Sequence, residues 1–307
     1  MSDDERTPVG ASAALLRTTE ALRAGLAKPV APGLYLVATP IGNLGDITLR
    51  AIATLAAADV IYCEDTRHSR TLASHFGLAA PLKPYHEHNG EAARPLILAA
   101  LAAGKRIALI SDAGTPLISD PGYKLVRAVI EAGYPVVSIP GATAALTALT
   151  VSGLPTNCFL FAGFLPPKSA ARLARLAELS TVDATLLFYE APSRVADCVV
   201  DIGVALGDRD VSVARELTKL HETVLRGLAS DVAARLVVEE PRGEYVIVVA
   251  PPKGGVVTDD MIRAHLQIAM TETTTRDAAQ AVAEALGVAR GRVYQLALTL
   301  KRGMDVS

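Results

Sequence analysis

The chain has 307 residues, half of them hydrophobic, and its 30 Lys and Arg nearly balance 32 Asp and Glu, for a formal net charge of −2. That is enough apolar mass for two cores, and the balance excludes a surface coated in basic charge, so any contact with a polyanion has to come from a local patch. Cys63, Cys158 and Cys198 are far apart and form no C-x-x-C pair, which excludes a disulfide framework and a zinc cluster; no metal ligands are expected.

Residues 1–32 are mixed in charge and rich in alanine, and 12–27 are patterned as a short amphipathic helix. They lack the apolar h-region of a signal peptide, and no apolar run reaches the roughly 18–20 residues that span a bilayer. A loosely ordered extension of a cytoplasmic protein is expected. From Gly33 short β-rich runs at 34–38, 60–63, 106–110 and 136–139 alternate with helical spacing at 48–57, 91–103, 123–131 and 143–150. This is how a parallel α/β sheet reads, and it defines a first α/β domain over 33–152.

The run V-S-G-L-P-T-N (151–157) breaks the periodicity and opens a second α/β domain over 153–252. Its strands are expected at 158–162, 185–189, 211–214, 221–226 and 245–250, and its helices at 170–179, 195–206 and 229–238. Pro251, Pro252, Gly254 and Gly255 mark a linker. The remainder, 258–303, reads as a small helical module with helices at 259–269, 276–286 and 290–301. Gly287 between the last two gives a spacing like a helix-turn-helix, which any three-helix cap with a glycine turn would share.

Three expected strand ends feed glycine-bearing loops. In A-T-P-I-G-N-L-G-D-I-T-L-R (38–50), Gly42 and Gly45 let the backbone approach a ligand and Asp46 can cap the next helix, but the loop lacks the G-x-G-x-x-G fingerprint. S-D-A-G-T-P-L-I-S-D-P-G (111–122) is longer than an ordinary crossover loop and rich in small and hydroxyl residues, as suits a binding surface outside a strand's carboxyl end. S-I-P-G-A-T-A-A-L (138–146) repeats the arrangement.

Taken in order, P-I-G-N-L-G-D, C-E-D-T-R, Y-H-E-H-N, S-D-A-G-T-P-L-I-S-D-P-G, P-G-A-T-A-A, Y-E-A-P-S-R and R-E-L-T-K-L-H-E resemble the ribosomal RNA small-subunit methyltransferase I family, a branch of the tetrapyrrole methylases. The likeness runs from Gly33 to about Pro251, and the helices from Thr258 resemble that family's appended helix-turn-helix. It implies a cytoplasmic homodimer that uses S-adenosyl-L-methionine to methylate the ribose 2′-hydroxyl of a cytidine in 16S rRNA of the small ribosomal subunit. It also implies a cofactor cleft between the two α/β domains.

Carried over residue by residue, the resemblance assigns to the cofactor Leu44 and Gly45 from the first loop, Ala113, Gly114, Thr115 and Ile118 from the second, and Thr143 and Ala144 from the third. Tyr189, Glu190 and Leu217 follow from the second domain. Thr115 stands where the small-molecule enzymes of the superfamily carry an acidic residue. Asp65, Arg67, His86 and Glu87 are the candidates for assisting the hydroxyl, with phosphate binding or loop support an equal alternative. Two basic clusters, Arg67 with His68 and Arg70 and Lys168 with Arg172 and Arg175, each lie on one side of an expected helix start and read as solvated faces that an RNA ligand could turn into phosphate contacts. The competing readings are a precorrin or uroporphyrinogen methylase of the same fold and a non-catalytic RNA-binding assembly factor.

Overall fold

The computed structural model of the protein describes residues 9–238, 240–252, 258–271, 273–286 and 288–304. Gly254, Gly255 and Gly287, expected in a linker and a helix turn, lie outside the described residues. Strands β1 (Gly33–Val37), β2 (Val60–Cys63), β3 (Leu82–Pro84), β4 (Arg106–Leu109) and β5 (Val136–Ile139) pair in parallel in the order β3-β2-β4-β1-β5. The inner strands are near-continuous apolar runs because helices cover both faces. β3 carries Lys83 and Pro84, a pairing that only an edge strand tolerates, and its polar character hides it from a hydrophobic pattern.

Helix α1 (Val9–Ala27) contains the helix expected at 12–27, but the segment is not loose: it lies on α2 (Leu49–Ala57), where Gly25 passes Ala53. Thr48 caps α2 by accepting the Ala51 N–H at 3.0 Å, whereas Asp46, the expected cap, belongs to a separate turn of 3-10 helix. Helices α3 (Thr66–His75), α4 (Gly90–Ala102), α5 (Tyr123–Glu131) and α6 (Ala144–Ser152) complete the first half. The path from β1 to β2 crosses β4, and the path from β4 to β5 crosses β1. The loops leaving β1 and β4 therefore part in opposite directions, which opens a crevice at their carboxyl ends.

The second sheet contains β6 (Phe159–Phe164), β7 (Thr185–Glu190), β8 (Asp210–Arg215), β9 (Thr223–Leu228) and β10 (Tyr245–Val249) in the order β6-β7-β10-β8-β9. Only β6 and β7 run parallel; β10 inserts antiparallel between β7 and β8 and is buried along its whole length. Helices α7 (Ser169–Leu179), α8 (Val195–Leu206) and α9 (Ala229–Val238) cover one face around Leu176, Phe188, Val199 and Ile247. Helix α6, although expected in the first domain, packs Ala145, Ala148 and Leu149 against Leu187, Val246 and Val248 on the opposite face. It ends at Gly153, whose φ of 76° supplies a left-handed stop.

Arg172 is not on a solvated face. It is 3% exposed and pairs with Asp201 of α8 at 2.7 Å, while Arg175 pairs with Glu178. The last helices, α10 (Asp259–Ala269), α11 (Thr275–Leu286) and α12 (Arg290–Met304), close a core of their own from Ile262, Leu266, Ala279, Val282, Val293 and Ala297. Among the described residues no helix is long and apolar enough to cross a membrane.

Candidate functional site

Between the carboxyl ends of the first sheet and the second sheet lies a cleft of 320 Å³, within the roughly 300–1,000 Å³ of small-molecule sites. Its first wall is the loop after β4. Thr39 and Gly114 exchange backbone hydrogen bonds at 2.9 and 3.1 Å, joining the β1 loop to the β4 loop. Gly114 has φ +81°, and a Cβ there would meet Ile41 Cγ2 at 3.3 Å, so the position suits only glycine. Thr115 donates its hydroxyl to the Ala142 carbonyl at 3.1 Å, which ties the β4 loop to the β5 loop.

The opposite wall comes from the second domain. Tyr189 packs edge-on against Phe161 and Phe164, and its hydroxyl accepts the Ala145 N–H at 3.2 Å, the first turn of α6. Burial pushes the Tyr189 phenol up from its ordinary value. Glu190 is 3% exposed; its Oε1 takes the Arg194 guanidinium at 2.5 Å and the Ala191 N–H at 2.8 Å, and its Oε2 is buried without a partner. Leu217 sits between Glu216 and Thr218, both left-handed at φ 53° and 66°. That costly backbone is clamped by Thr218 N–H to Glu222 at 2.6 Å and by Lys219, which pairs with Glu216 and Glu244.

Nine residues expected to touch the cofactor line this one cleft: Ala113, Gly114, Thr115, Ile118, Thr143, Ala144, Tyr189, Glu190 and Leu217. Leu44 and Gly45 do not. Leu44 lines a neighbouring depression with His68, Ser69 and Lys219, and Gly45 donates its N–H to Asn43 at 2.9 Å; Ile41 represents their loop in the cleft. Gly42 serves the contact between domains instead. A Cβ would stand 2.4 Å from Lys219 Cγ, so its bareness lets the second domain reach across.

None of the four hydroxyl-assisting candidates lines the cleft. Asp65 caps α3, accepting the Arg67 N–H at 2.7 Å, and pairs with the Arg67 guanidinium at 2.9 Å. That hydrogen bond holds its carboxyl down at about 2, so it is a poor proton acceptor near neutrality. Arg67 is 86% exposed. Glu87 faces solvent, and His86 is half-buried with its N–H on Asn89 and a buried Nδ1 without a partner. His86 faces Glu64, whose carboxyl is raised by burial and then by Asp112.

Sequence reasoning missed Asp120, Phe164 and the stretch Gly243 to Val246, all of which line the cleft. Asp120 stands inside the quoted S-D-P-G, yet its role depends on what surrounds it. Tyr245 reaches the cleft because β10 places it opposite Glu190, a register that no local pattern announces. No group of three or more His, Cys, Asp or Glu side chains suited to a metal ion occurs among the described residues.

A family described as Tetrapyrrole (Corrin/Porphyrin) Methylases matches residues 33–233, and one described as the RsmI C-terminal HTH domain matches 257–301. The chain is 49% identical to the ribosomal RNA small subunit methyltransferase I of Mesorhizobium japonicum, over 90% of this chain and 94% of that one. It is also 49% identical to the protein of the same name from Erythrobacter litoralis, over 90% and 98%. Among solved structures, the Thermus thermophilus uroporphyrin-III C-methyltransferase complexed with S-adenosylhomocysteine aligns with TM-score 0.50 and 22% identity, over 70% of this chain and 96% of that one.

Proposed function

The chain belongs to the tetrapyrrole methylase family, and from that membership we infer that it is an S-adenosylmethionine-dependent methyltransferase that 2′-O-methylates a cytidine ribose in 16S rRNA of the small ribosomal subunit. The observation that carries this reading is the convergence of three strand-end loops of the first sheet and three strands of the second, β6, β7 and β10, on one cleft. The site suits the cofactor. Gly114 leaves a bare backbone surface, Ile41, Ile118 and Leu217 supply apolar walls, and the partnerless Glu190 Oε2 is an acceptor in need of a donor. An adenosyl group with an amino-acid tail presents both an apolar plane and such donors.

S-adenosylmethionine supplies a methyl group on a sulfonium, already strongly electrophilic. The protein's part is therefore to align the incoming hydroxyl and exclude water, an effect of position. Thr115 and the Thr39–Gly114 bridge fix one wall, and the Tyr189 contact with Ala145 fixes the other, so the two domains hold the cleft's shape together. The α10 to α12 module is assigned to RNA, and the active species to a homodimer in the cytoplasm.

Incubation of the protein and methyl-labelled cofactor with unmodified 30S subunits, naked 16S RNA and a porphyrinogen mixture tests the reading. Label is expected on a ribose of the 30S RNA. Label in the porphyrinogen would make this a small-molecule enzyme of the same fold, and no label anywhere would leave an RNA-binding assembly factor.

A further inference from the structure

Among the described residues four carboxylates line the cleft: Asp112, Asp120, Glu190 and Glu244. Three hold a cation or a backbone N–H through at least one oxygen. Asp112 accepts the Asp65 N–H at 3.0 Å, Glu190 is paired with Arg194 at 2.5 Å, and Glu244 is paired with Lys219 at 3.0 Å. Asp120 differs, because the charges that face it are two further acids, Glu64 at the end of β2 and Asp112 in its own loop. The Tyr189 phenol faces it from β7, with Glu244 beyond, and His86 lies behind Glu64 from the β3 side.

We propose that Asp120, which lines the cleft, takes the proton from the attacking ribose hydroxyl, an inference that rests on the methyl-transfer reading, with Glu64 and Asp112 as positioning residues beside it. As the hydroxyl O–H bond breaks, its proton passes to Asp120 and the freed oxygen pair forms the O–CH3 bond. The C–S bonding pair leaves with sulfur, which becomes a neutral thioether. Burial, then Glu64 and Asp112, push the Asp120 carboxyl up to about 6 against the opposing Ser111 hydrogen bond. A base of that strength is mostly ionised near neutrality and still accepts a proton readily. The backbone sets it there at a cost: Leu117 and Ser119, just before it, are left-handed at φ 74° and 67°.

The test compares the full chain with Asp120→Asn and Glu64→Gln in single-turnover methylation of 30S subunits at saturating cofactor from pH 5 to 8. In parallel, the side-chain carboxyls of the ligand-free proteins are titrated by carbon NMR. Wild-type rates are expected to rise through an inflection near pH 6, and Asp120→Asn to lose about 100-fold or more at pH 7.5 with cofactor saturation of the variant verified by calorimetry. A carboxyl resonance titrating near 6 is expected to vanish in Asp120→Asn and to move to lower pH in Glu64→Gln, a shift that a merely structural role would not produce. A wild type that transfers no methyl to ribose overturns the methyl-transfer reading and this inference with it. An active wild type overturns this inference alone if Asp120→Asn stays within about tenfold of it, or if no resonance assignable to Asp120 titrates near 6.

Discussion

Asp120 shows how little a residue's identity says before its neighbours are known. The motif S-D-P-G reads as turn chemistry, and that is correct for Pro121 and Gly122. What distinguishes the aspartate is the arrival of Glu64 from another strand and the absence of a cation facing it among the described residues. The same surroundings make it a stability liability whose sign can be worked out. With a folded value of about 6 against roughly 3.9 unfolded, the folded chain holds more protons between the two, so ionisation opposes folding. The penalty is absent below about pH 4, grows through pH 6 and is complete at pH 7.5. Partial exposure reduces it to on the order of 1 kcal/mol. Asp120→Asn should therefore raise the melting temperature by about 2–4 °C at pH 7.5 and leave it unchanged at pH 4. Equal shifts at both pH values in thermal denaturation would mean that the gain has nothing to do with this charge.

Elements follow the sequence closely where one periodicity dominates. Residues 60–63, 136–139, 123–131, 195–206 and 229–238 were readable to the residue because each is an apolar run or stripe bounded by turn residues. β3 was not readable, being a polar three-residue edge, and of α3 only its start around Arg67 was, because T-R-H-S-R-T hides the length of a helix whose buried residues are Ser69, Leu72 and Ala73. Helix α7 carries the sharpest reversal. Lys168, Arg172 and Arg175 look like one basic face, yet Arg172 turns inward to Asp201 and also donates to the Pro167 carbonyl at 3.2 Å. Arg172→Ala leaves Asp201 buried with only Ser169 for company and should cost about 3–5 kcal/mol in urea unfolding. Replacing both partners, as Arg172→Met with Asp201→Asn, should recover much of the loss. A single-mutant cost under about 1 kcal/mol would place the pair in solvent instead.

For the molecule as a whole, a cleft between two sheets and a helical module with its own core set the remaining expectation. Because α10 to α12 close their own core, a chain ending at Pro252 should keep the cleft intact. S-adenosylhomocysteine at about a hundred times its Kd should stabilise the full and shortened chains alike by about 2.7 kcal/mol. Filter binding to RNA across a salt series should give a flatter slope for the shortened chain, as phosphate contacts are lost. Equal slopes would remove the module from RNA binding, and a stabilisation seen only in the full chain would make the module part of the cleft. The alternation of strands and helices, the glycine loops at strand ends and the three-helix tail were determined by the sequence alone, since periodicity, turn chemistry and backbone freedom are local. The insertion of β10 between β7 and β8, the packing of α6 on the second sheet, the inward turn of Arg172 and the acidic surroundings of Asp120 were decided only by the tertiary structure. Each depends on which distant segments become neighbours, and burial, charge pairing and proton affinity are properties of neighbours rather than of residues.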